Sequence, residues 1–138
     1  MNTAIAIQTE TAKVRWSNAL KTLRAVGIAT RMNVKSCCRS CANIDTDRAT
    51  VWTFGGQGNA FSWLDGTMVN REILYKVKAR SFGGVTLDSM KRNKGIEEQV
   101  FFNFTDIIAA EAAVIAFEAE GFEVEWNGTE GQCVIIKM

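Results

Sequence analysis

Asp106–Glu120 reads DIIAAEAAVIAFEAE, with Glu111 and Glu118 the only charged side chains inside it and Ile, Val, Phe and Ala everywhere else. On a helix, positions seven apart fall on one stripe, so these two glutamates leave most of the circumference apolar. A helix apolar nearly all round must be covered on several sides. In a chain of 138 residues the cover comes from a sheet on one side and from either another helix or a second subunit on the other. That reading predicts an α+β domain.

The flanks support it. Thr105 or Asp106 can cap the helix by accepting hydrogen bonds from its first free amides, and Gly121 stands where the helix, predicted over residues 106–120, should stop. Before it, VFFNF (100–104) has the composition of a short strand. After it, FEVEW (122–126), Asn127-Gly128 and CVIIKM (133–138) predict a hairpin. Near the other end, Ala12, Trp16, Ala19, Leu20, Leu23 and Val26 recur at spacings of three and four, which predicts an amphipathic helix over 11–26. Gly27 ends it, and IATRMNV (28–34) follows as a strand.

Between these outer units the pattern is weaker. ATVWTFGGQGNAFSWL (49–64) has two aromatic runs around Gly55, Gly56 and Gly58, which predicts a hairpin or a strand bent by a bulge. GGQG lacks the spacing and the lysine of a phosphate-binding P-loop. ILYKVKAR (73–80) alternates Tyr75, Val77 and Ala79 with Lys76, Lys78 and Arg80, which predicts a strand with three cations on one face. Residues 81–99, rich in glycine and carrying Lys91, Arg92 and Lys94, read as a mobile loop with one helical turn. The expected architecture is one α+β domain over 1–138 with residues 1–10 flexible. Its sheet is mainly antiparallel or mixed, of about five to six strands, and is packed by two main helices.

Composition narrows the function classes. With 47% apolar and 22% charged residues the chain can bury one core, and no apolar run reaches the roughly 20 residues of a membrane helix. The start, MNTAIAIQTETAK, has no export pattern, so the expected location is cytoplasmic, with no membrane partner. The net charge of +1 hides a split: residues 1–106 hold 15 Lys/Arg and 9 Asp/Glu, residues 107–138 hold 1 and 6. Histidine is absent, which removes Ser-His-Asp and Cys-His catalysis, and no carboxylate cluster at metal-binding spacing stands out. An acid/base pair from Asp45 and Asp47 is conceivable, but NIDTDRAT reads first as a solvated loop.

Three of the four cysteines, Cys37, Cys38 and Cys41, lie in NVKSCCRSCANID (33–45), and Cys133 lies far along the chain. In a reducing compartment they default to thiols. A zinc site needs about four ligands, here Cys37, Cys38, Cys41 and Cys133 or a nearby carboxylate, and adjacent Cys37 and Cys38 diverge in most backbones. A redox reading starts from Cys38-Arg39-Ser40-Cys41, with Ser36 capping a short helix. A chain with no proline argues against a thioredoxin-like domain. Packed thiols are the first reading, a metal or redox site the second.

LRAVGIATRMNVKSCCRSCANID (23–45) and FEAEGFEVEWNGTEGQCVIIK (117–137) together resemble an actinobacterial and actinophage domain family of unknown function. The resemblance rests on Cys37, Cys38 and Cys41 and on Trp126 with Gly128, and covers the first half and last quarter of the chain. Where that family has a polar His-Gln-Gln-Asp type motif, this chain has Gly55-Gly56-Gln57-Gly58-Asn59, so only Gln57 corresponds. The resemblance implies an α+β fold and a phage or actinobacterial setting, and supplies no reaction.

Three functions therefore compete. The first is a small noncatalytic interaction protein, phage-encoded and directed at a host protein, that forms a homodimer through the apolar second helix. The second is nucleic-acid binding by Lys76, Lys78, Arg80, Lys91, Arg92 and Lys94, with Tyr75, Phe82 or Trp52 for stacking. The third is a metal or thiol function at the cysteines, with zinc as the one cofactor considered.

Overall fold

The Thr11 hydroxyl accepts a hydrogen bond from the Val14 amide at 3.2 Å and so opens helix α1, Ala12–Ala25. The computed structural model describes residues 11–34, 48–54 and 61–138. Strands β1 Ala29–Val34, β2 Thr50–Phe54, β3 Phe61–Leu64 and β4 Thr67–Asn70 come next, then helices α2 Arg71–Arg80 and α3 Leu87–Arg92. β5 Gln99–Phe104, α4 Ile107–Ala119, β6 Glu123–Glu125 and β7 Val134–Lys137 complete the order. The fold is α+β, with a five-stranded mixed sheet in the order β1-β2-β5-β7-β6 and a separate two-stranded sheet of β3 and β4.

In the main sheet only β1 and β2 run parallel; β5 pairs antiparallel with β2 and β7, and β7 with β6. Side chains alternate across a strand. Val100, Phe102 and Phe104 of β5 therefore face the same layer as their partners Ile136, Val134 and Val51, and all six are buried in one core. α1 and α4 close that face. Trp16 sits at its centre, with ring centroids 4.8 Å from Phe117, 5.3 Å from Phe61, 5.7 Å from Phe102 and 5.8 Å from Phe122. Fully burying a side chain of this size contributes about 1.5–3 kcal/mol.

The two helices run antiparallel. Near the start of α1, Arg15 Nη1 donates to the Glu120 carbonyl at 3.3 Å and Asn18 Nδ2 donates to Glu120 Oε1 at 3.3 Å, just past the end of α4. Asp106 caps α4 by accepting from the Ala109 amide at 2.8 Å. Ala109, Ala110, Ala113, Ala116 and Phe117 of α4 are buried, while Ile108 and Ile115 remain 71% and 69% exposed. The apolar circumference is thus covered by sheet and α1, except for one stripe.

Two local expectations are corrected, and the helical turn expected within 81–99 is present. The aromatic runs of 49–64 do not form a hairpin: β2 joins the main sheet, whereas β3 pairs with β4. The true hairpin turns at Asp65-Gly66, both at positive φ (49° and 79°), the geometry that a two-residue turn between twisted strands demands. ILYKVKAR is not a strand but most of α2, because the Asn70 side chain accepts from the Ile73 amide at 3.1 Å and starts a helix one residue before Arg71. Within 81–99, α3 is a helix fixed by a capping box. The Thr86 hydroxyl accepts from the Ser89 amide at 3.2 Å, and the Ser89 hydroxyl accepts from the Thr86 amide at 3.0 Å.

The C-terminal hairpin forms as predicted, although residues 126–133 make a longer connection than a tight Asn-Gly turn. Trp126 Nε1 donates to the Thr129 and Gln132 carbonyls, both at 3.1 Å, and pins that connection. The predicted flexible start (1–10), the segment of Cys37, Cys38 and Cys41, Asp45, Asp47, and Gly55 to Asn59 all lie outside the described residues.

Candidate functional site

β3, β4, α2 and α3 form a smaller unit beside the main sheet, with its own core of Val69, Val77 and Met90 and with Leu64, Ile73 and Ile96 packed against it. That core is thin, and the surface around it is cationic. Residues 61–96 hold Arg71, Lys76, Lys78, Arg80, Lys91, Arg92 and Lys94 against Asp65, Glu72 and Asp88. All seven cations are exposed, and none forms an ion pair among the described residues. Like charges left unpaired on one small unit set up a positive field that an anionic ligand can lower.

Aromatic groups stand in that field. Tyr75 on α2 is 65% exposed, and Phe82, just after α2, is fully exposed. Neither is needed by the core, and an exposed ring beside cations is a surface on which a base can stack. Trp52, the third expected stacking residue, is excluded, since it is only 5% exposed and belongs to the main sheet.

The helical form of α2 redistributes the cations. At 100° per residue, Lys76 and Arg80 share one side, while Lys78 falls about 200° from Lys76. Lys78 instead joins Arg71, Leu74 and Tyr75, at positions i, i+3, i+4 and i+7 of one face. With Ser62 of β3 these four line a cleft of about 150 Å³. Arg71 and Ser62 escape sequence reading because ILYKVKAR mimics strand alternation. The signal that finds them is Asn70 as a helix cap, followed by Arg71, Tyr75 and Lys78 at helical spacing.

A second feature lies at the seam between the two units. The segment Gly95–Glu98 is held on both sides: the Asn70 amide donates to the Gly95 carbonyl at 2.5 Å and the Glu97 amide to the Met68 carbonyl at 3.0 Å, while the Met138 amide donates to the Glu98 carbonyl at 2.8 Å. Glu97 is partly buried there. Desolvation pushes its carboxyl up to about 7, against a lowering by the hydrogen bond from the Asn70 side chain. Glu97 and Glu98 line an open cleft of about 630 Å³ with Lys91, Lys94 and Phe101, and a smaller one of about 250 Å³ with Trp63 and Met68. A carboxyl titrating near neutrality can give or take a proton. Sequence reading misses Glu97 because its burial is tertiary.

Of the proposed metal ligands, Cys133 alone is described: its Sγ donates to Asn103 Oδ1 at 3.3 Å on β5, and that amide is buried. Among the described residues no group of three Cys, Asp or Glu side chains is placed to hold a metal ion. No helix among them is long and apolar enough to cross a membrane. Comparison with protein-family models, with curated proteins and with solved structures finds no match to this chain, so its chemistry has to be read from its own residues.

Proposed function

We propose that the chain is a noncatalytic binding protein whose smaller unit holds single-stranded nucleic acid. One observation carries the reading: Tyr75 and Phe82 stand exposed in a unit whose seven cations have no ion-pair partner among the described residues. Cations that track a phosphate backbone, interleaved with rings that stack bases, are the combination that sequence-tolerant single-strand binding requires. The net charge of only +1 fits a local electrostatic footprint rather than a basic protein.

Fluorescence anisotropy with a labelled oligothymidylate tests this. Affinity falls linearly on a log–log plot against salt, and Tyr75→Ala or Phe82→Ala weakens binding while leaving that slope unchanged. Absence of binding at low salt overturns the reading.

A second reading, interaction with a protein partner, is favoured by α4. Ile108 and Ile115 form an exposed apolar stripe flanked by Glu111 and Glu118 with no base on the helix, whereas α1 exposes Lys13, Lys21 and Arg24 with no acid. Two copies related by a two-fold axis set each α1 against the other's α4 with opposite charges facing. Light scattering that gives a monomer at micromolar concentration rules out this homodimer.

A further inference from the structure

We infer that the cleft between Ser62, Arg71, Tyr75 and Lys78 is a phosphate subsite, a proposal that rests on the nucleic-acid reading and places one phosphate of the strand at the start of α2. The chemistry converges from two elements. Arg71 and Lys78 lie two helical turns apart on the same face of α2, close enough for both side chains to reach one anion between them. Ser62 of β3, paired with Val69, brings a hydroxyl to the same place, and that hydroxyl has no protein partner among the described residues. A guanidinium supplies a fork of donors, an ammonium a point charge and a hydroxyl a third donor direction, which suits a tetrahedral anion with several acceptor oxygens.

Size and shape agree. A small cleft of about 150 Å³ has room for a phosphate group. Tyr75 lines the same cleft and is 65% exposed, so its ring is open to a base attached to that phosphate. Leu74 also lines the cleft and carries no competing charge. Lys76 and Arg80, on another side of α2, and Lys91, Arg92 and Lys94, on and after α3, are left to contact neighbouring phosphates. Charge on this unit is therefore graded: one built position, with unspecific cations around it.

The chain has a single tyrosine, so the ring NMR signal of labelled Tyr75 reports on this cleft alone. Inorganic phosphate should shift that signal along a saturating curve, while sodium chloride at equal ionic strength should not. Arg71→Gln or Lys78→Gln should abolish the saturation, and Lys21→Gln, with the same charge change on the exposed face of α1, should preserve it. A drift that is linear, matched by chloride, or unchanged in Arg71→Gln overturns the subsite. In the oligothymidylate assay the double variant Arg71→Gln/Lys78→Gln should lower the salt slope by about 0.7, the value for one phosphate of a single strand. Oligonucleotide binding without phosphate saturation overturns the subsite and leaves the nucleic-acid reading standing. Phosphate saturation without oligonucleotide binding supports the subsite, overturns the strand as its source, and assigns the cleft to small phosphate esters. All the substituted side chains are exposed, and helical circular dichroism verifies that each variant is folded.

Discussion

The main sheet with α1 and α4 and the smaller unit around α2 and α3 differ in what they bury and what they leave out. The first packs Trp16, Phe102, Phe117 and Phe122 ring against ring, and the second centres on Val69, Val77 and Met90. The first covers its rings, and the second exposes Tyr75 and Phe82 among cations. Packed rings and exposed cations are thus allotted to different parts of one short chain. The part with the thinner core is the one expected to open at lower free energy, as binding elements commonly do.

Substitutions can break this division or sharpen it. The largest effect is expected from Phe117→Ala: the ring is fully buried against Trp16 and Phe102, and its loss should cost about 3–5 kcal/mol in urea denaturation, with both units unfolding together. Met90→Ala should cost somewhat less, about 2–5 kcal/mol at its own site. Its diagnostic is spatial. Amide exchange should quicken over residues 61–96 while β5 and β7 keep their protection, and oligonucleotide affinity should drop. Uniform loss of protection would show one cooperative unit and end the comparison.

Thr86→Ala removes one half of the capping box and should cost about 1 kcal/mol, read as faster exchange confined to α3 and its flanks. Smallest is the effect of Glu97, whose carboxyl moves from an ordinary 4.5 to about 7. The folded chain then holds that proton more tightly than the unfolded one. This contribution to stability is fully present below about 4.5 and is lost as the pH rises through about 7. Glu97→Gln should flatten that part of the pH profile and raise the urea midpoint at pH above 7 relative to the parent chain. Because the side chain is partly exposed, solvent screening keeps the change small. An unchanged profile in the variant would place the burial of Glu97 in doubt.

The outer parts of the chain were legible because their signals are local and mutually consistent. Trp16, Ala19 and Leu23 keep helical spacing and are all buried, and the near-uniform apolarity of α4 correctly demanded cover on several sides. The middle was misread where two periods compete over a few residues. Tyr75, Val77 and Ala79 alternate as in a strand, yet Ile73 and Val77, four apart, both pack into the core of the smaller unit, and Asn70 fixes the helical choice through one hydrogen bond. β4 went unseen because TMVN is too short to show a period, although Asp65-Gly66 before it is a strong hairpin signal. The basic residues were found and their grouping was not. Grouping depends on whether the backbone advances 100° or 180° per residue.

The strand order β1-β2-β5-β7-β6 sets a timetable for a chain made from one end. Every element of the smaller unit falls between Phe61 and Ile96, so its contacts close over short loops. The main sheet has to wait for its central strand at Gln99–Phe104 and then for Val134–Lys137, the latest of its strands in chain order. Emerging from a ribosome, the protein can display its cationic helices before the layer that steadies them exists.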